Sequence, residues 1–351
     1  MHLKPLTSLR FLFALMVFVS HLNFLKNSNH IWLRDTYNTI LSQGYIGVSF
    51  FFILSGFILT HVYRFKLDSN ATARRSFFIA RLARVYPLHL ATFLIAIPLM
   101  FWGQEITIRG LLLGLSNVTL TQSFIPIKEL YFSFNGPSWS ISCEAFFYLC
   151  FPYLLILFNK LGKFKYYLTA ILASIIIILT NYISPNLQHG LFYINPLFRI
   201  VDFILGIVIY DLYINLKNQK TLVDFTILEF LSIAIFVLFF SLRDSVTDTS
   251  LYSIFYWIPI MTIILIFAFQ QGAISKILSH KYAIWLGEIS FGFYMIHHLV
   301  MRYFILGNGK FELITNHYLI IILLFTITVI AAAASHRYFE TPLNRWIRNK
   351  N

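Results

Sequence analysis

Two ionisable residues stand eleven positions apart in an otherwise apolar stretch, LTSLRFLFALMVFVSHLNF: Arg10 and His21. On an α-helix, eleven steps turn ~1100°, within ~20° of three whole turns, and rise ~16 Å. Both groups therefore share one helical face, about half a bilayer apart, and only Ser20 between them is polar. Ionisable groups inside a membrane helix are expensive and face a cavity or a partner. Histidine titrates near operating pH and suits general-base work. The pair predicts a path from the membrane edge toward a reactive centre.

Four more segments carry chemistry. In NGPSWSISCEAFFYLCFP, residues 135–152, Glu144 lies among Trp139, Phe146, Phe147 and Tyr148. A buried carboxylate needs a partner or stays protonated, so Glu144 reads either as a structural ion pair or as the acid that works with His21. Trp139, Ser140 and Ser142 are nearby donors for a developing oxyanion. In ARLARVYPLH, residues 80–89, Arg81 and Arg84 are three apart, neighbours on a helical face just before Pro87. Such a pair clamps phosphates through charge-assisted hydrogen bonds, or simply marks a basic loop, the reading that suits Arg74 and Arg75. In GEISFGFYMIHHLVMRY, residues 287–303, Glu288, Tyr294 and one histidine are candidates to line a cavity. His297 and His298 are adjacent, so they are expected to point ~100° apart and not to face one centre together; they make a poor metal pair. The small residues Gly44, Gly47, Ser55 and Gly56 of GYIGVSFFFILSGF predict close helix packing. Neither a Gly-rich phosphate loop, a Cys/His zinc pattern nor a G-x-S-x-G elbow is present in the sequence, and no metal is expected. A His-plus-Glu site within the bilayer is the best chemical candidate.

The elements that must position these groups are membrane helices. Of 351 residues, 58% are hydrophobic and 12% charged, where a soluble chain carries roughly 25% charged residues. Mean hydropathy is +0.72. The expected fold is all-α, a polytopic membrane helical bundle forming one domain over 1–351, with no soluble domain attached. Its net charge of +13 fits cytoplasmic loops facing anionic lipid better than nucleic-acid binding. Cys143 and Cys150 are seven apart in one apolar stretch, which predicts helix packing rather than a disulfide framework. Lys4 precedes an apolar run that lacks a small-residue cleavage site, so a retained first helix is expected.

Ten spans are predicted: 6–25, 44–63, 85–103, 138–158, 167–183, 195–214, 225–242, 252–271, 284–305 and 317–336. Loop charge orients them. Residues 64–84 carry Arg64, Lys66, Arg74, Arg75, Arg81 and Arg84 against Asp68, which marks that loop as cytoplasmic. Lys160, Lys163, Lys165, Lys217, Lys220, Lys276, Lys281, Arg337, Arg345, Arg348 and Lys350 then also fall inside, with both termini cytoplasmic. This holds only if 110–125, apolar but containing Asn117, Thr119, Thr121, Gln122 and Ser123, does not cross; 104–137 is expected to be an extended or re-entrant outer segment. Arg10 then sits at the cytoplasmic edge, His21 in the outer half with Glu144 at similar depth, and Arg81 and Arg84 at the inner face.

Taken in order, these residues resemble the membrane acyltransferase-3 family. The resemblance is carried by Arg10 and His21 at their spacing, GVSFFFILSGF, Arg81 and Arg84 before Pro87, WSISCE ending at Glu144, FRIVDFILG from Phe198 to Gly206, GEISFGFYMIHH, and YFETP at 338–342. It implies a bacterial inner-membrane enzyme that moves an acyl group, most often acetyl, from cytoplasmic acyl-CoA to a hydroxyl of an extracytoplasmic glycan or lipid-linked sugar. Acetyl-CoA is then the acyl donor, bound by Arg10, Arg81 and Arg84, although Arg10 has the alternative of pairing with an acid. His21 and Glu144 are the catalytic candidates, and Trp139, Ser142 and His297 the substrate contacts. Direct transfer and an acyl-histidine intermediate both stay open. Competing readings are a flippase or transporter for a lipid-linked sugar, with Arg199 and Asp202 as a coupling pair, and an enzyme acylating a small secreted metabolite.

Overall fold

The computed structural model describes residues 3–67, 71–103, 105, 107–219, 223–311 and 314–349. Asp68, Lys220 and Lys350 among the loop charges, and 104 and 106 of the outer segment, lie outside the described residues. Among those described, every regular element is a helix. The principal ones are Lys4–Ser20, Gly47–Tyr63, Ala71–Met100, Trp139–Leu161, Phe164–Leu179, Pro196–Lys217, Phe225–Ser241, Trp257–Ala268, Lys281–Phe311 and His317–Ser335. Each falls on one of the ten spans. Five stretches, Ile31–Tyr63, Thr72–Met100, Gly136–Leu161, Lys281–Lys310 and His317–Asn349, have the length and hydropathy to cross a bilayer by themselves. The chain is an all-α polytopic membrane bundle.

Small residues let the central helices touch. A Cβ added at Gly56 would lie 2.0 Å from the Phe203 carbonyl oxygen, and one at Gly206 would lie 2.0 Å from that of Ile53. The Gly47–Tyr63 and Pro196–Lys217 helices thus meet backbone to backbone, as expected where lipid supplies no hydrophobic drive between helices and close van der Waals packing must. Beside this contact, Arg199 is fully enclosed. Its guanidinium donates to the Tyr252 carbonyl at 2.8 Å and the Ser49 hydroxyl at 2.9 Å, and pairs with Asp202 at 2.7 Å. Asp202 also accepts the Trp257 indole N–H. These bonds tie three helices and the turn at Tyr252 together, a geometry that suits packing.

Three elements alter or fill in what the sequence predicts. The third principal helix begins at Ala71, not near 85, so Arg81 and Arg84 lie on it and Pro87 stands inside it. Proline within a helix is tolerated in membrane bundles because neighbours re-satisfy the freed carbonyl. Residues 110–125 hold part of an 11-residue helix, Ile108–Val118, ~16 Å long against a ~30 Å hydrocarbon core. The polar residues that disqualified it are the ones that dock it. The Asn117 amide donates to Ser133 Oγ at 2.7 Å, Gln122 to the Ser138 carbonyl at 3.2 Å, and Ser123 to Ser142 Oγ at 2.6 Å. Finally, Ile31–Thr39 is a short helix after the first span, and its Tyr37 hydroxyl bonds the Ser20 carbonyl and the Asn23 side chain, each at 2.8 Å. This clamp holds the end of the first helix.

Candidate active site

The first helix ends at Ser20, which leaves His21 as its C-terminal cap. The His21 Nδ1 lies 2.9 Å from the Val17 carbonyl oxygen and 3.1 Å from His297 Nε2. His297 Nδ1 in turn lies 2.6 Å from the Tyr294 carbonyl oxygen. A carbonyl only accepts, so Nδ1 carries the proton on both rings. In the neutral imidazole, His297 Nε2 is then a lone pair that shares the His21 N–H. The consequence for His21 is chemical: its Nε2 is the basic nitrogen, and two acceptors hold its ring in that tautomer. His297 is fully buried, whereas His21 and His298 are half-buried.

His298 joins the cluster. Its ring centroid lies 5.3 Å from that of His21, and the His297 centroid lies 5.0 Å away. Adjacent histidines are expected not to face one cavity centre; here both rings stand near His21, at the end of the first helix. A Cβ added at Gly136 would sit 3.1 Å from the His298 ring, so the buried turn Gly136–Ser138 closes the cluster from the other side.

That turn also decides where Glu144 goes. Because 136–138 is already inside the bundle, the Trp139–Leu161 helix starts at the histidine level rather than at the outer surface. Six residues beyond Ser138, Glu144 lies ~9 Å further along the helix. Its carboxylate accepts from the Tyr148 hydroxyl at 2.8 Å and interacts electrostatically with Arg84, Arg10 and Arg81. The expected equal depth with His21 is not found: Glu144 belongs to the Arg10 end.

There a cavity of about 590 Å³ opens, lined by Arg10, Arg81, Arg84, Glu144, Glu288 and Glu340, with Arg345 and Arg348 also on its wall. Arg10, Arg84, Glu144 and Glu340 form a quartet in which each arginine is attracted by both acids. Among the described residues no two of the four are in direct ion-pair contact, so N–H donors remain uncommitted to protein carboxylates. Arg81 donates to the Tyr63 hydroxyl at 3.3 Å and stacks on that ring. At the other end of the cavity stand Ser140 and Tyr294. The Tyr294 hydroxyl lies 2.9 Å from Ser140 Oγ and 3.2 Å from the Pro137 carbonyl oxygen. Since the Tyr294 carbonyl binds His297, this residue joins cavity and histidine cluster.

The other expected contacts divide. Ser142 is fully buried, donates to the Leu120 carbonyl at 2.5 Å and accepts from Ser123; it pins the outer segment and does not line the cavity. Trp139 is buried, with Tyr193 at 4.8 Å and Phe52 at 6.2 Å between ring centroids. Of the three candidate oxyanion donors only Ser140 reaches the cavity. Cys143 donates to the Ile194 carbonyl at 3.0 Å, a packing role. Tyr148 and Glu340 were not singled out in the sequence. Tyr148 was legible as the i+4 neighbour of Glu144, and Glu340 as the one acid in 313–351.

The fold and the site together define a membrane bundle with a cationic chamber on one side of a histidine cluster. Residues 5–336 match the Acyl_transf_3 family, an acyltransferase domain, and the chain belongs to that family. It is similar to the acyltransferase MdmB of Streptomyces mycarofaciens, 42% identical over 153 residues, 43% of this chain and 38% of that protein. It is also similar to the peptidoglycan O-acetyltransferase OatA of Listeria monocytogenes, 25% identical over 98% of this chain and 56% of that protein. A putative O-acetyltransferase of Staphylococcus aureus, SACOL0978, is 26% identical over 87% of this chain and 53% of its own length. The chain spans about half the length of the relatives it matches along most of its own length. No solved structure matches it.

Proposed function

We propose that this protein is an integral-membrane O-acetyltransferase of the bacterial cytoplasmic membrane, crossing ten times with both termini inside. It moves an acetyl group from cytoplasmic acetyl-CoA to a hydroxyl of an extracytoplasmic sugar on an envelope glycan or lipid-linked precursor. The observation that carries this reading is the division of the polar interior: arginines and a cavity at one end of the Arg10–His21 face, histidines with a free basic nitrogen at the other. In this scheme Arg81, Arg84 and Arg10 hold the donor phosphates, and Glu144 with Glu340 sets the guanidinium positions. The pantetheine arm lies in the cavity with its thioester at Ser140 and Tyr294, and the Tyr294–Ser140 hydrogen bond opens to let the carbonyl meet the acceptor.

His21 Nε2 takes the proton from the acceptor hydroxyl as its oxygen attacks the thioester carbonyl. The C–S bond then breaks, and the imidazolium returns the proton to the departing thiolate. Ser140, whose hydroxyl donates to the Pro137 carbonyl at 3.0 Å, turns from that carbonyl to donate to the oxyanion. His297 contacts the acceptor side only through His21; Trp139 and Ser142 support the site through packing.

Purified protein given radiolabelled acetyl-CoA and a glycan acceptor should label the glycan. His21→Ala should lower the rate by at least about 100-fold, the usual scale of a lost general base, while the melting temperature holds. Glu144→Gln should come close to that loss. Full activity of His21→Ala sinks the assignment. Movement of an unlabelled lipid-linked sugar across a liposome, without acetyl transfer, would instead make the protein a flippase.

A further inference from the structure

The donor cavity has a second arginine pair that the scheme above leaves without a task. Arg345 and Arg348 lie on the short helix Thr341–Asn349 and both line the cavity wall. They are three apart, hence neighbours on one helical face, as Arg81 and Arg84 are on theirs. The two helices pack against each other. Glu340, immediately before Thr341, is drawn to Arg84 and Arg10 and accepts from the Ser335 hydroxyl at 2.9 Å, which brings the terminal helix to the mouth. Two basic pairs from two helices therefore converge on one chamber. The chamber's arginines outnumber its glutamates, five against three among the described lining residues.

The pairs differ in depth. Arg84 and Arg81 interact with the deep acid Glu144, whereas Arg345 and Arg348 are solvent-exposed. Coenzyme A has the same order along its length: thiol, pantetheine arm, diphosphate and, outermost, the ribose 3′-phosphate. We propose that Arg345 and Arg348 form the subsite for the 3′-phosphate, while Arg81 and Arg84 hold the diphosphate. This rests on the reading of acyl-CoA as donor. An arginine fork binds a phosphate dianion through paired hydrogen bonds that a lysine does not reproduce. The other face of the terminal helix is different in kind: Pro342, Leu343 and Trp346 join Tyr338 and Phe339 in a separate apolar surface. Aromatic residues of this kind suit a membrane interface, and the arginine pair faces the cavity instead.

The test compares coenzyme A with 3′-dephospho-coenzyme A, binding each to the full chain in zwitterionic nanodiscs. The wild type should prefer coenzyme A by about tenfold or more, the scale of hydrogen bonds to a charged group. In the Arg345→Ala/Arg348→Ala double variant the preference should collapse toward one, with affinity for the dephospho ligand unchanged; that unchanged value reports an intact fold. Arg345→Lys/Arg348→Lys should restore part of the preference. Arg84→Ala should weaken both ligands by the same factor. A double variant that keeps the wild-type preference overturns the proposal. So does one that keeps it while losing a preference for anionic over zwitterionic nanodiscs, an outcome that would assign the arginines to lipid headgroups. A wild type that binds neither ligand overturns the acyl-CoA reading itself, a different failure.

Discussion

At the scale of single residues, the structure shifts the partner of His21 from a carboxylate to an imidazole. Glu144 is held by Tyr148 and the arginines, and what orients His21 is His297, through two carbonyls that fix both tautomers. An imidazole partner orients without adding a full negative charge, which in a low-dielectric interior would need its own compensation. If this is the arrangement that acts, His297→Ala should lower kcat by about tenfold to 100-fold, part of the usual general-base contribution, with the KM for acyl-CoA unmoved. His297→Gln keeps an acceptor near the position of Nε2 and should recover part of the loss. Equal damage from both variants, or a rise in the donor KM, would show that His297 serves packing alone. The types and spacing of Arg10 and His21 were legible in the sequence because eleven residues on a helix leave little freedom. Which groups stand near their side chains was not, since Glu144 and Glu340 lie 134 and 330 residues from Arg10 and His297 lies 276 residues from His21, distances along the chain for which no local pattern exists.

At the scale of elements, the outer segment matters most. Charge parity predicts that it does not cross, and the structure supplies the docking: Asn117, Gln122 and Ser123 each donate to Ser133, Ser138 and Ser142 in turn. A second clasp lies outside the expected spans, where Tyr131 Oη lies 3.1 Å from His189 Nδ1. Burial, with Lys128 adding to it, holds the His189 imidazole down at about 4 from its ordinary 6.5. The folded state therefore resists a proton that the unfolded segment accepts. The stabilising contribution is complete above pH 6.5 and declines as pH falls through 6.5 toward 4. Amide exchange across 128–133, corrected for intrinsic rates, should accelerate over that window, and His189→Gln should flatten the dependence. A pH-independent rate in the wild type would mean that His189 takes no part in the clasp. Element boundaries were the least legible feature. The third principal helix runs back to Ala71 because nothing in ATARRSFFIARLARVY breaks a helix before Pro87, and the charges that suggest a loop are carried on its N-terminal extension.

At the scale of the whole molecule, orientation is the claim on which donor and acceptor sides depend. A cysteine introduced at Lys163 should react with an impermeant maleimide only from the cytoplasmic side, and one at Arg109 only from outside, above the background of the native Cys143 and Cys150. The reverse pattern would put the arginine cavity on the outer face and remove cytoplasmic acyl-CoA as its ligand. Much of this scale follows from sequence. Hydropathy determines that the chain is a membrane bundle, because exposed backbone polar groups are too costly in lipid for anything but helices or a closed barrel; the positions of lysine and arginine supply the expected orientation; and the order of motifs places the chain in its family. Only the tertiary structure decided how the polar residues sort themselves. Glu144 joined the arginines because a buried turn at 136–138 starts its helix deep. His298 joined His21 because a helix ends there, and the terminal arginines reached the cavity because Glu340 is drawn to Arg84 and Arg10. Each of these depends on the relative depth and rotation of helices distant in sequence. Packing sets those quantities, and the pattern along one helix does not contain them.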